Sequence, residues 1–201
     1  MILPNIKLNN LGPVCAAEPF LKVKGNLFEI IYPDNSKSGK FSHDTLTRKN
    51  IDASVIIANA NDHIYLRSCV RPALFERDEY NLWELPAGLI EAGENPVDCA
   101  CREAEEELGF YLKAEDFKEL GHYTFPSVGT IGERIHFFSV SVNPEDRSEP
   151  SLDGSPLEKH GIVEKIHIKD ALEMIQKGQL KDAKTELGIW RFYHRHFYNK
   201  K

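Results

Sequence analysis

The stretch GLIEAGENPVDCACREAEEELGF, residues 88–110, crowds four glutamates into the five residues from Glu103 to Glu107. Its flanks spell a helix. Asn95 is a capping residue, Pro96 suits a first helical position and Gly109 suits an end. A helix over 96–108 at about 100° per residue places Val97, Cys101, Ala104 and Leu108 on one apolar stripe. Glu103, Glu106 and Glu107 then gather on another side, with Arg102 on the flank and Glu94 just before the cap. Like charges one turn apart destabilise a helix, and no lysines are interleaved to relieve them as on an ordinary solvated face. Carboxylates concentrated in this way are what a hard divalent cation such as Mg²⁺ takes as ligands.

Outward from this stretch, ASVIIAN (53–59) is a continuous apolar run of the kind buried on both faces of a sheet. HIYLRSCV (63–70) follows after a tight turn, and LWELP (82–86) is short and extended. FKELGHYTF (117–125) and RIHFFSVSV (134–142) alternate like strands around the loop PSVGTIGE. VEKIHI (163–168) is a further strand, KDALEMIQKG (169–178) a helix, and LKDAKTELGIWRFYHRHF (180–197) a terminal helix. In that last helix Ala183, Leu187, Trp190 and Phe197 recur at helical spacing and are expected to pack in the core. Strands with interspersed helices on this scale give an α/β sandwich. Residues 1–49 differ from the rest. LFEIIY (27–32) and FSHDTLTR (41–48) are strand candidates around the turn cluster PDNSKSGK. So few large apolar residues make a separate β segment that must lean on the main domain or on another subunit.

The 201 residues are 41% hydrophobic and 28% charged, with a net charge of -6. That balance excludes a general electrostatic pull toward nucleic acid or anionic membrane. No run approaches the ~20 apolar residues of a membrane span. MILPNIKLNNLG lacks the apolar core and cleavage site of a signal peptide. Cys15, Cys69, Cys99 and Cys101 form no CxxC pair, and reduced thiols in the cytoplasm are expected.

Gly88, Glu94, Arg102, Glu103, Ala104, Glu106, Glu107, Gly109 and Phe110 match the Nudix box position by position, and the chain resembles a Nudix hydrolase from about Ile51 to its C-terminus. The resemblance implies an α/β/α sandwich with a mixed sheet (50–201), preceded by a small antiparallel β domain (1–49). It implies hydrolysis of a nucleoside diphosphate linked to another group. Glu103, Glu106 and Glu107 match the metal-binding glutamates, with the Ala87 carbonyl as a further ligand. The metal is Mg²⁺, with Mn²⁺ as the alternative. Gly88, Glu94, Arg102 and Gly109 match positions that brace the loop and helix.

Upstream, RPALFERDEYNLWELPAG (71–88) is similar to the branch that acts on ADP-ribose and other nucleoside diphosphate sugars, with Arg71 and Glu84 at substrate-binding positions. A structural ion pair of Arg71 with Glu76 or Asp78 is the alternative. Downstream, Pro126, Ser127, Gly129 and Glu133 fit the branch's loop, but Val128 stands where it often has Pro, which moves weight toward sugars such as GDP-mannose. Glu133 matches a loop glutamate that orients or deprotonates the attacking water. Its alternative is a surface pairing with Arg134 or His136, which leaves the role to Glu106. The branch exchanges its N-terminal segment across a homodimer, where Phe28 or Phe41 could stack on a base. Dinucleoside polyphosphates, coenzyme diphosphates and capped RNA are the alternative substrates, and a nucleotide-sensing domain without catalysis is the alternative class.

Overall fold

The computed structural model describes residues 1–13, 20–152 and 154–198. Cys15 lies outside the described residues. The central sheet is built on β3 (Ala53–Ala60) and β4 (His63–Val70). Every residue of β3 is buried, as its unbroken apolar run requires. Strand β5 (Asn81–Glu84) pairs antiparallel with β4, and β6 (Ala87–Leu89) antiparallel with β3. Strand β8 (Ile135–Ser141) runs parallel to β3, and the two-residue β7 (Lys118–Glu119) closes that edge. Strand β9 (Val163–His167) pairs with the first half of β4, so β4 forks at Arg67, which faces Val163 on one side and Glu84 on the other.

Alternate residues of the sheet feed two cores. Val55, Ile57, Ile64 and Leu66 pack with Ile168 and Ala171 of α2 (Ile168–Gln176) and with Ile189 and Phe192 of α3 (Ala183–Tyr193). Ile56, Ala58 and Tyr65 pack with Ala100 of α1 (Pro96–Glu103) and with Ala104 and Leu108 beyond it. This is the expected α/β/α sandwich with a mixed sheet.

Strand β1 (Lys22–Phe28) and strand β2 (Phe41–Thr47) form a separate antiparallel ribbon. The first strand lies earlier than the expected 27–32, because the register from Lys22↔Thr47 to Phe28↔Phe41 sets it and not the apolar run at 27–32. The ribbon exposes Val23, Leu27, Ile30 and Ile31. It touches the sandwich through Leu46, whose amide donates to the Thr130 carbonyl at 2.8 Å. The first residues do not join the ribbon. Asn81 Nδ2 donates to the Pro4 carbonyl at 2.6 Å, and Leu3 packs on the α3-side core.

Two further expectations shift. The stripe of α3 is Thr185, Gly188, Ile189 and Phe192, and Ala183 and Trp190 are exposed. Asp182 fixes that rotation: its carboxylate caps Thr185 N at 2.9 Å and accepts from Thr185 Oγ1 at 2.6 Å, while Thr185 Oγ1 accepts from Leu85 N at 2.8 Å. The stretch 117–125 holds only β7 and a bridge from Thr124 to Ile135, so it is mostly loop.

Candidate active site

Helix α1 starts as expected at Pro96 after Asn95, although the Asn95 side chain donates to Asp98 at 3.1 Å and not to the helix backbone. It does not continue as α-helix to Leu108. Residues Ala104–Leu108 form a π-turn, and Gly109 ends it with φ of 78°. Such turns recur at functional sites. Phe110 N reaches back to the Ala104 carbonyl at 3.0 Å. The outcome for the carboxylates is decisive: Glu103 and Glu107 are 8% and 7% exposed, and Glu106 is half-buried. An acidic face in water is thereby excluded.

Arg102 organises the near side. Its guanidinium meets Glu103 Oε1 at 2.6 Å, Glu106 Oε2 at 2.9 Å and Glu94 Oε1 at 3.1 Å, and donates to the Leu89 carbonyl at 3.0 Å. Glu94 also accepts from Glu91 N at 2.8 Å, which closes the loop. Gly88 is glycine by contact, since a Cβ there would fall on the Glu103 carboxylate. Gly109 is needed twice: its backbone is left-handed, and a Cβ would fall on the Ser148 carbonyl. The four bracing positions thus do mechanical work around the three glutamates.

Glu107 points under the sheet edge. Its Oε2 accepts from Ala87 N at 2.9 Å, and Arg67 Nη1 lies 3.6 Å from Oε1. Arg67 also reaches Glu158, at 3.3 Å to Oε2 and 3.2 Å to the backbone carbonyl. Gly161 lets that loop approach, because a Cβ would stand 2.6 Å from the Ser68 carbonyl. Burial pushes the Glu103 carboxyl up to about 7, against the pull of Arg102. Burial, and then the charge of Glu103, push Glu107 up as well. Neighbouring cations do not fully offset the desolvation of these two carboxylates.

Among the described residues no three ligand side chains stand ready-placed around one point, because Arg102 and the Ala87 amide hold the carboxylates. Yet the glycine cradle over Glu103 and the under-neutralised buried pair suit a hard divalent cation. The residues fit the group.

A second cluster lies at β5. Arg71 grips Glu84 with two bonds, 2.9 and 2.8 Å, so its partner is neither Glu76 nor Asp78. Lys184 also contacts Glu84 and meets Asp182 at 2.8 Å. Burial alone would raise Glu84, but Arg71 and Lys184 hold its carboxyl far below the usual range. A groove of about 340 Å³ is lined by Arg71, Glu84, Lys181 and Lys184.

Glu133 is half-buried and pairs with Arg48 at 3.0 Å, while Arg134 is taken by Asp52 at 2.6 Å. The alternative surface pairing with Arg134 or His136 is therefore not made. Burial raises the Glu133 carboxyl despite Arg48. Arg48 stacks under Phe20 at 5.4 Å from the ring centre. Phe20, Lys22, Arg48, Lys49 and Leu89 line a cleft of about 570 Å³ that abuts the box loop. Phe41 instead faces Phe28, 6.0 Å between ring centres, at the other end of the ribbon. A larger cavity of about 850 Å³, lined by Leu3, His63, Trp83 and His167, includes none of the box glutamates. The sequence reading missed Arg67, Glu158, Lys184 and Phe20, which stand alone in strand, loop or the first turn of α3 with no spacing to mark them.

The fold and the box turn define a class. The NUDIX domain model matches residues 48–186, and the chain belongs to the Nudix family. It is similar to the ADP-ribose pyrophosphatase of Haemophilus influenzae, 28% identical over 188 residues that cover 89% of this chain and 82% of that protein. It is also similar to the GDP-mannose pyrophosphatase of Yersinia enterocolitica, 25% identical over 183 residues, 90% of this chain and 92% of that one. The ADP-ribose pyrophosphatase of Bacillus subtilis is 34% identical over 116 residues, spanning 55% of this chain and 57% of the relative. A crystal structure described as an ADP compounds hydrolase shares the fold, with a TM-score of 0.70 at 16% identity over 92% of this chain and 91% of that one.

Proposed function

We propose that the chain hydrolyses the diphosphate linkage of ADP-ribose or a related nucleoside diphosphate sugar, giving a nucleoside monophosphate and a sugar phosphate. The observation that carries this reading is the cleft of Phe20, Lys22, Arg48 and Lys49 abutting Leu89 of the box loop. In an acidic protein it joins three cations, suited to a diphosphate, to an aromatic ring, suited to a base. The names of the relatives support the same substrate class.

Glu103, Glu106 and Glu107 would hold Mg²⁺ or Mn²⁺, with the Ala87 carbonyl beside them. When bound, the metal neutralises the diphosphate and lowers the pKa of an attacking water. Arg71, Lys184 and Glu84 orient the substrate at the second cluster. The proton acceptor for the attacking water is a carboxylate. Glu133 has that role by resemblance, with Glu106 behind it, and Glu158 joins them because Arg67 holds it against Glu107.

The exposed apolar ribbon suits a homodimer, and a base-stacking role for Phe41 rests on that second copy. The free thiols of Cys69, Cys99 and Cys101 suit the cytoplasm. No helix among the described residues is long and apolar enough to cross a membrane.

The test is phosphate release, coupled to a phosphatase, from ADP-ribose, GDP-mannose, a dinucleoside polyphosphate, a coenzyme diphosphate and capped RNA, with and without Mg²⁺. Metal-dependent turnover of the two nucleotide sugars above the others is expected. Preference for any other member, or none with metal present, overturns the substrate assignment.

A further inference from the structure

We propose that Arg67 is a resident cation of the carboxylate site, one that occupies part of the space and charge a divalent ion would otherwise supply and so sets how tightly that ion binds. The inference rests on the reading of Glu103, Glu106 and Glu107 as metal ligands.

Arg67 is a charged residue in the middle of a core strand, 2% exposed. Its neighbours on β4 are fully buried or nearly so, and an apolar residue at that position would need no partner. A buried guanidinium is costly unless it is paired with good geometry. Here the pairing is incomplete. Nε and Nη1 have no hydrogen-bond partner, and the approach of Nη1 to Glu107 Oε1 is a charge contact at 3.6 Å. Nη2 alone makes a hydrogen bond, to the Glu158 carbonyl, beside the Glu158 carboxylate at 3.3 Å. A side chain kept for packing or for a strong salt bridge would not stand so.

The fork in the sheet explains why the position exists. At Arg67 strand β4 is paired on both edges, with β9 through Val163 and with β5 through Glu84. The chain leading into β9 stays against β4 beyond that point, Ser68 N donating to the Ile162 carbonyl at 2.9 Å and Val70 N to the Leu157 carbonyl at 3.3 Å, and Gly161 permits the close passage. That passage brings Glu158 to one nitrogen of the guanidinium while the π-turn brings Glu107 to another. The permanent charge of Arg67 thus lies between two carboxylates from distant segments. It holds them together when no metal is present. The same charge repels an incoming divalent ion, because two cations sharing a carboxylate in a poorly solvated site oppose each other strongly. Arg67 therefore keeps the metal-free site assembled at the expense of metal affinity.

The experiment compares Arg67→Gln, which removes the charge but keeps an amide for the Glu158 carbonyl, with Arg67→Lys, which keeps the charge. Mn²⁺ binding is measured by calorimetry and by electron paramagnetic resonance of free Mn²⁺, alongside thermal unfolding of each metal-free protein. The expected result is that Arg67→Gln binds Mn²⁺ about tenfold more tightly, unfolds at lower temperature without metal, and gains more from Mn²⁺ than the parent protein. Arg67→Lys stays within about twofold of the parent in affinity. Recovery of folded Arg67→Gln only in the presence of Mn²⁺ supports the proposal equally. Unchanged or weaker Mn²⁺ binding in Arg67→Gln overturns it, as does misfolding of that variant with and without Mn²⁺. If the parent protein itself binds no Mn²⁺, the metal reading of the box fails instead, which is a separate result.

Discussion

The box turn and the N-terminal ribbon are both left incomplete by the single chain, in opposite ways. The box turn buries charge: Glu103 and Glu107 are almost wholly enclosed, and their carboxyls are pushed up. The ribbon exposes apolar surface, with Val23 and Leu27 at 69% and 68% exposure. A two-stranded ribbon is marginal alone, and under-neutralised buried carboxylates oppose folding. The first region is stabilised by a cation and the second by another surface. Each deficit therefore names the chemistry of what should complete it.

The largest effect should come from removing one box carboxylate. Glu107→Gln is expected to lower kcat by about 10³ or more, by analogy with other losses of metal-assisted catalysis. Near-normal turnover, or full activity in excess chelator, would remove the metal from the comparison.

Next is the proton acceptor. Glu133→Gln is expected to lower kcat about 100-fold with KM little changed, the scale of a lost general base. Glu158→Gln is expected to lower kcat about tenfold at most, because Arg67 already holds that carboxylate. If steady-state kinetics reverse that split, Glu158 is the acceptor and Glu133 only shapes the basic cleft through Arg48.

The ribbon offers a milder test. Light scattering is expected to give about twice the 22.9 kDa chain mass. Leu27→Asp should shift the protein toward monomer without unfolding the sandwich, since Leu27 contributes nothing to either core. A monomeric parent protein would leave the exposed strands unexplained.

The smallest expected effect is on pH. Glu103 has a folded-state carboxyl near 7, above its unfolded value. Between those values the folded chain holds more protons than the unfolded one, so metal-free stability should fall as pH rises through that window. Glu84 has the opposite sign. Its carboxyl is depressed, so its contribution is present above the unfolded carboxylate range and is lost as acid approaches the folded value. Melting curves from pH 4 to 8, with and without Mg²⁺, check the first window, and the Mg²⁺-induced gain should grow with pH. A gain independent of pH would argue that Glu103 does not meet the ion.

Much of this was legible in the sequence, for identifiable reasons. The unbroken run at 53–59 reads as a buried strand because nothing else tolerates it, and the box glutamates read as ligands because their spacing has no solvated use. The rotation of α3 was hidden because a polar pair sets it, Asp182 with Thr185, through a bond to the backbone at Leu85. The first strand of the ribbon was misplaced because pairing register outweighs apolar content in a two-stranded piece. Arg67, Glu158 and Lys184 carry no local signature at all. Only the fork at β4 and the start of α3 bring them to the carboxylates they serve.

The π-turn has a consequence for how the molecule opens. Leu152 N donates to the Glu106 carbonyl at 3.0 Å, Ser148 N to the Gly109 carbonyl at 2.8 Å, and Arg147 Nε to the Leu108 carbonyl at 2.8 Å. The tail of the box helix is thus stitched to the segment that leads toward Glu158. In amide hydrogen exchange, Gly109, Phe110, Ser148 and Leu152 should exchange at one shared rate, as a single cooperative unit, although 38 positions separate the amides of Phe110 and Ser148. A bound cation that steadies Glu107 would then slow exchange in a loop it does not touch.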